Sequence, residues 1–279
     1  MQMLLAFLLL QSLIKNTSIM KKILCLFGAL ALLFSSCSSE ENSSPEANDG
    51  TFPKSIITTY SGSPADTTFI TYKDDKIESM TTKKNKIYFF YEGGLIQSKQ
   101  YYEIVQGKEN KTTVVTYFYE NGKLASSKFI SSISIDFPNG KFAGRNVYTF
   151  VSDTLIKEQR FDTDQFTNIE KESDTYNMLI YKNGNVIRNT TVNGKTALDM
   201  YAQIYEYDNK NSPFKNIKGI NLLIAEEMSS SNNILTISSN TNFVYDKNTY
   251  EYNDEGYPSL KTYYKGGGEQ VSSTTKYLY

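Results

Sequence analysis

Any chemistry in this chain must be built without histidine, because none occurs among its 279 residues. That removes the Ser-His-Asp and Cys-His pairs, the usual zinc sites and the commonest general base at neutral pH. Two cysteines are present, Cys25 inside the apolar run Ile23 to Phe34 and Cys37 directly after Leu33-Phe34-Ser35-Ser36. The chemistry that fits Cys37 is acylation. A cationic start (Met20-Lys21-Lys22), an apolar stretch, small residues and then a cysteine follow the order of a bacterial lipoprotein signal, whose cleavage leaves the thiol to carry lipid. Phe34 stands where leucine is usual, so an ordinary secretory leader stays open as the alternative.

With Cys25 lost in the leader and Cys37 acylated, no thiol remains for a nucleophile, a disulfide or a thiolate metal site. A hydrolase would have to work with carboxylates, lysine or tyrosine. Glu226-Glu227 offers paired acids for glycoside chemistry, but acids adjacent in sequence do not define a carboxylate pair in space. Asp74-Asp75 and Asp162-Thr163-Asp164 supply hard oxygen ligands, yet neither continues into the spacing of a calcium loop with its closing glutamate, so turn chemistry accounts for them. The reading is no catalytic residue, no metal site and no cofactor.

The elements that must carry these residues begin after the leader. Residues 1–36 form the signal, with Met20 as the expected true start; the apolar run is shorter than the roughly 20 residues of a membrane-crossing helix. Residues 37–53 are the lipidated cysteine and a flexible acidic tether, Ser38 to Gly50 holding no aliphatic or aromatic side chain larger than alanine. Residues 54–279 are read as one antiparallel β domain. Removing the leader takes three lysines from the 29 basic side chains and none of the 30 acidic ones, so the mature chain is near minus four, with no electrostatic footprint for nucleic acid.

From Ile56 onward, short runs rich in Tyr, Phe, Ile, Val and Thr alternate with Asn, Gly, Asp and Lys, the pattern of strands and turns. Four Asn-Gly pairs, at 121–122, 139–140, 183–184 and 193–194, mark tight reversals, since both turn positions need positive φ. A two-residue turn at Asn121-Gly122 sets Glu120 opposite Lys123 and Tyr119 opposite Leu124; the same rule pairs Tyr181 with Val186 and, around Gly93-Gly94, Tyr91 with Ile96. Tyrosines two apart (117/119, 205/207, 250/252, 277/279) share a strand face. They form either a ladder of half-buried rings or a stacking platform for sugars, with Tyr207 and Tyr252 as the candidate ligand contacts. Ser212-Pro213 predicts a short helix packed against one end of the sheet, although Gly219 interrupts its apolar face, and a binding loop is the competing reading.

Around Tyr205-Glu206-Tyr207-Asp208 and Tyr250-Glu251-Tyr252-Asn253 the chain resembles an uncharacterised family of Bacteroidetes lipoproteins labelled porin-like, with Tyr-Asp style repeats. The resemblance implies a large curled antiparallel sheet and no assigned catalytic residues. The expected fold is all-β, about fourteen strands in an open, barrel-like meander with at most one or two short helices. The expected role is a lipid-anchored envelope protein at the outer membrane, facing the cell surface with the periplasmic face as the alternative, with the membrane as partner through its lipid and a glycan or envelope protein as ligand. A carbohydrate-binding module or carboxylate-based glycan enzyme is the alternative, and a pore-forming barrel a third reading. Cys37→Ala is expected to move the protein from the detergent phase to the aqueous phase in phase-partition assays; unchanged partitioning would contradict acylation there.

Overall fold

A computed structural model describes residues 51–279 except Gln165 and Ala225. The leader, Cys37 and the tether up to Gly50 lie outside the described residues. Sixteen strands follow in chain order: β1 (Ser55–Tyr60), β2 (Asp66–Lys73), β3 (Lys76–Thr81), β4 (Asn85–Glu92), β5 (Leu95–Val105), β6 (Lys108–Glu120), β7 (Lys123–Ser131), β8 (Phe142–Phe150), β9 (Leu155–Thr163), β10 (Glu170–Lys182), β11 (Asn185–Asn193), β12 (Asp199–Tyr207), β13 (Ile234–Ser239), β14 (Val244–Tyr252), β15 (Pro258–Lys265) and β16 (Val271–Leu278). Each strand pairs antiparallel with its sequence neighbours, and β1 pairs with β16, from Ser55 opposite Leu278 to Tyr60 opposite Ser273. The sheet is therefore a closed barrel. The expected open sheet is corrected on this point, and the strand number rises from about fourteen to sixteen; closure leaves no unpaired edge to protect.

Five hairpins and the β12–β13 pair share one device. On the first strand of each, an inward aromatic faces an inward residue just past the connection, with a β-bulge beside the pair: Tyr72 with Ile77, Tyr91 with Ile96, Tyr119 with Leu124, Tyr181 with Val186, Tyr207 with Ile234 and Tyr252 with Pro258. The registers expected from the sequence at Tyr91, Tyr119 and Tyr181 are those observed, and Glu120 faces Lys123. Each bulge takes one residue out of the ladder. At three of them the carbonyl beside the bulge accepts a tyrosine hydroxyl from farther along the barrel: Tyr119 to Ile96 (2.8 Å), Tyr207 to Val186 (2.9 Å) and Tyr279 to Pro258 (3.0 Å). Tyr72 reaches Pro53 in the same way at 2.7 Å. The packed chain thus starts before Lys54, with Pro53 fully buried and Phe52 against the Tyr72 ring.

Asn121-Gly122 and Asn183-Gly184 are two-residue turns with positive φ at both positions. The other two pairs sit in longer connections. Asn139-Gly140 lies within the ten residues between β7 and β8, and Asn193 is the last residue of β11, where Ala197 takes the positive φ. Turn chemistry accounts for Asp74, with a φ of 56°, and for Asp164, whose carboxylate accepts the amides of Thr167 and Phe166, which hold it below the usual carboxylate range; Asp162 instead lies within β9, where Arg160 binds it.

Sixteen strands enclose more space than wall side chains can fill. The void at one end is occupied by the 208–233 connection between β12 and β13. Its Phe214, Ile217, Ile220, Leu223 and Ile224 form one buried cluster with Ile77, Ile96, Leu124, Ile156 and Leu179 of the wall. The short helix expected after Ser212-Pro213 is replaced by turns and two single 3₁₀ turns, Ile220–Leu222 and Glu227–Ser229; no α-helix occurs among the described residues. Gly219 explains the break. Its φ is 78°, and a Cβ there would lie 2.8 Å from the Gly94 carbonyl oxygen, so the plug approaches the wall backbone where only glycine fits.

Residues 48–279 form a compact unit whose described core is drawn from the barrel and its plug. Thirteen of the 22 tyrosines titrate above their ordinary value, mostly through burial, Tyr91 and Tyr207 at about 12. The unfolded chain loses these protons near pH 10 while the folded barrel keeps them, so the stability they contribute is intact below about pH 10 and is lost as pH rises toward the folded values. Tyrosinate absorbance is expected to emerge together with loss of β-sheet circular dichroism above that pH. Full ionisation near pH 10 with the sheet intact would contradict the burial pattern.

Candidate functional site

The plug divides the lumen, and the polar chamber beyond it is the candidate site. Asp208 fixes the plug's two ends. Its carboxylate accepts the Lys210 amide (3.0 Å), the Asn233 amide (3.1 Å) and side chain (3.0 Å), and the Tyr252 hydroxyl from β14. Asn185 at the start of β11 repeats the arrangement, its side-chain oxygen accepting the amides of Ser231 (3.0 Å) and Asn232 (3.2 Å). Polar clamps at the ends leave the middle of the segment free to bury its aliphatic residues.

A second clamp lies beneath the chamber, reaching it through Glu226 alone. Lys99 projects inward from β5, 4% exposed, and pairs with Glu226 of the plug; the Tyr117 hydroxyl from β6 donates to the other Glu226 oxygen at 2.7 Å. The Lys99 ammonium also lies 5.6 Å from the Tyr117 ring centre and 5.9 Å from that of Tyr101, close enough for cation–π attraction. Burial, followed by the neighbouring Glu226 carboxylate, holds the Tyr117 hydroxyl far above its ordinary pKa. A nearly buried lysine is tolerable only with such partners.

Above this clamp is a cavity of about 490 Å³. Glu226, Glu227, Ser229 and Ser230 of the plug line its base, and its wall comes from β11 to β16 and β1. Lys261 pairs with Glu227 at 3.3 Å, and the Tyr263 hydroxyl donates to Asp246 at 2.6 Å, a bond that raises the Tyr263 pKa to about 12. Asn248, 6% exposed, uses its amide nitrogen on the Ile234 carbonyl (2.9 Å), but its side-chain oxygen has no partner among the described residues. The Asn189 side-chain oxygen is unpartnered as well. Buried acceptors left unpaired are uncommon in folded proteins and cost free energy; two of them line this one chamber. A smaller apolar cavity of about 220 Å³, walled in part by Ile56, Met80, Phe214 and Met228, shares Glu227 and Lys261 with the chamber. That ion pair stands where the polar and apolar spaces meet.

Of the two tyrosines named from the sequence, Tyr207 lines the chamber with its hydroxyl engaged on Val186. Tyr252 lies at the plug's hinge on Asp208, outside the chamber lining, and stacks on Tyr250 at 6.1 Å. Glu226 and Glu227 both reach the chamber, each with its own lysine. Lys99, Asn189, Asp246, Asn248 and Lys261 were not visible as candidates. They lie on four strands, β5, β11, β14 and β15, and only closure of the barrel relates them. The polar residues two apart at Asp246 and Asn248, on one face of an otherwise aromatic strand, were the one local sign.

No known protein family and no curated protein matches this chain. Among solved structures it is similar to a porin-like protein from Bacteroides vulgatus, with 12% identity and a TM-score of 0.52 over 82% of this chain and 99% of that one. The shared feature is the fold. A second porin-like protein, from Bacteroides uniformis, has 12% identity and a TM-score of 0.47 over 82% of this chain and 96% of the other.

Porin-like architecture is not matched here by a lipid-facing surface. The outward strand positions carry Lys128 opposite Arg145, Leu260 opposite Lys276, and Glu206 opposite Thr236, which in turn faces Lys247. A membrane barrel requires a continuous apolar band at that height. These charges, together with the plug in the lumen, count against the pore-forming reading. In urea titrations Glu226→Ala is expected to destabilise the barrel by about 3 kcal/mol by stranding Lys99, and the double variant Lys99→Met/Glu226→Gln to recover part of that loss. Equal losses in both would contradict a coupled clamp.

Proposed function

We propose that this chain is a lipid-anchored cell-envelope protein that holds a small polar ligand in the barrel lumen without turning it over. Cys37 carries the anchor, and the acidic residues just after it resemble the export signal by which Bacteroidetes-type lipoproteins reach the outer face of the cell. The porin-like label of the structural neighbours agrees with an envelope setting. The observation that carries the binding role is the plugged polar chamber of about 490 Å³, lined by carboxylate, amide, hydroxyl and ammonium groups that a ligand rich in donors and acceptors would pair with. Tyrosine rings at 205 and 207 beside carboxylate, amide and ammonium groups suit a neutral polyhydroxylated molecule of sugar size, which can stack a face and donate from its edges.

The glycan-enzyme reading is kept because Glu226, Glu227 and Asp246 place three carboxylates on one cavity. Isothermal titration of residues 48–279 against mono- and oligosaccharides, with amino acids as controls, separates these readings. Saccharide binding without turnover is expected, weakened roughly tenfold by Lys261→Ala, the equivalent of one charged hydrogen bond. Turnover of any glycan would replace the binding role with catalysis, and binding of amino acids alone would contradict the ligand class.

A further inference from the structure

The end of the barrel opposite the plug carries an unusual distribution of side chains. Four consecutive connections there expose large apolar residues: Ile135 and Phe137 between β7 and β8, Phe166 and Ile169 between β9 and β10, Leu198 between β11 and β12, and Phe243 between β13 and β14. Ile135 is 100% exposed and Phe166 is 85% exposed. The turns on the rest of the same rim are polar, with Ser61-Gly62-Ser63, Lys83-Lys84, Gln106-Gly107 and Gly266-Gly267-Gly268, and its exposed apolar residues, Tyr60, Val105 and Val271, sit at strand ends and not on loop tips. Scattered exposed apolar residues need no account, but a contiguous arc of them on one rim does.

We infer that this rim is a membrane-docking surface whose apolar loop tips insert into the interfacial layer of a lipid bilayer. The side chains stand on separate protruding loops instead of forming a flat face or groove, so a rigid partner could cover them only with matching pockets, whereas a soft interface surrounds each tip. Lys141 lies 5.6 Å from the ring centres of both Phe137 and Phe142, the pairing of an aromatic body with a charged head that suits the headgroup level. Chain length permits the geometry, on the reading that Cys37 is lipidated. The fourteen residues from Cys37 to Thr51 can span about 46–50 Å, while the 13-residue β6, tilted as barrel strands are, rises about 34 Å. A lipid tethered to the plugged end and the opposite rim can therefore reach one bilayer.

The absence of tryptophan makes the test clean. Phe166→Trp at the rim and Phe118→Trp on the outer wall near the plugged end are each made in residues 48–279, and fluorescence is followed while phosphatidylcholine vesicles are added. Emission from the rim reporter is expected to shift to the blue, and emission from the wall reporter to stay fixed. Adding Ile135→Ser and Leu198→Ser to the rim reporter is expected to weaken vesicle affinity by roughly tenfold or more. No shift at the rim, or equal shifts at both sites, would overturn the proposal. A shift that grows with protein concentration without vesicles would assign the rim to a second copy and overturn it too. Because the segment lacks Cys37, failure here is distinguishable from failure of the anchor.

Discussion

The constraint on which the rest of this structure depends is volume. A barrel of sixteen strands cannot fill its own centre with wall side chains, so the ring of inward aliphatic residues near its hairpin turns would face water unless something else covered it. The 208–233 segment provides that cover with five apolar side chains, and its polar ends are held by Asp208 and Asn185. Everything functional follows from where this segment stops. Its last residues face polar space, and Glu226 joins the base of the chamber to a buried lysine and tyrosine of the wall beneath it.

The same constraint explains the repeated hairpin. A bulge after each tight turn re-aims the strand and frees a carbonyl, and an inward tyrosine is the side chain long enough to reach a neighbouring strand while keeping its ring in the apolar layer. Tryptophan, absent here, donates through a ring nitrogen at a fixed angle, and phenylalanine cannot donate at all. The tyrosine ladder is thus a structural seam, and at Tyr205 and Tyr207 the seam also borders the chamber.

Local features were legible in the sequence because they depend on neighbours. Glu120 with Lys123 and Tyr119 with Leu124 followed from the positive φ that Asn121-Gly122 supplies. Closure was not legible, since the pairing of Ser55 with Leu278 joins residues more than two hundred positions apart whose side chains carry no complementary signal. The helix expected in the plug is absent for a physical reason. Proline and apolar spacing after Ser212 match a helix start, but the wall interrupts the run: the Asp75 carbonyl accepts the Lys218 amide at 2.9 Å and Gly219 presses against Gly94, which leaves separate local turns on either side. Lys99 and Lys261 carry no local mark in the sequence, and only closure turns them inward.

Hydrogen exchange tests the central claim most directly, because a plug and a surface loop differ in protection and not in composition. Amides of residues 217–224 are expected to exchange as slowly as those of the flanking strands β12 and β13, and far more slowly than the exposed 132–141 connection. Exchange of 217–224 at the rate of that connection would mean the segment does not occupy the lumen, and the chamber would lose its floor.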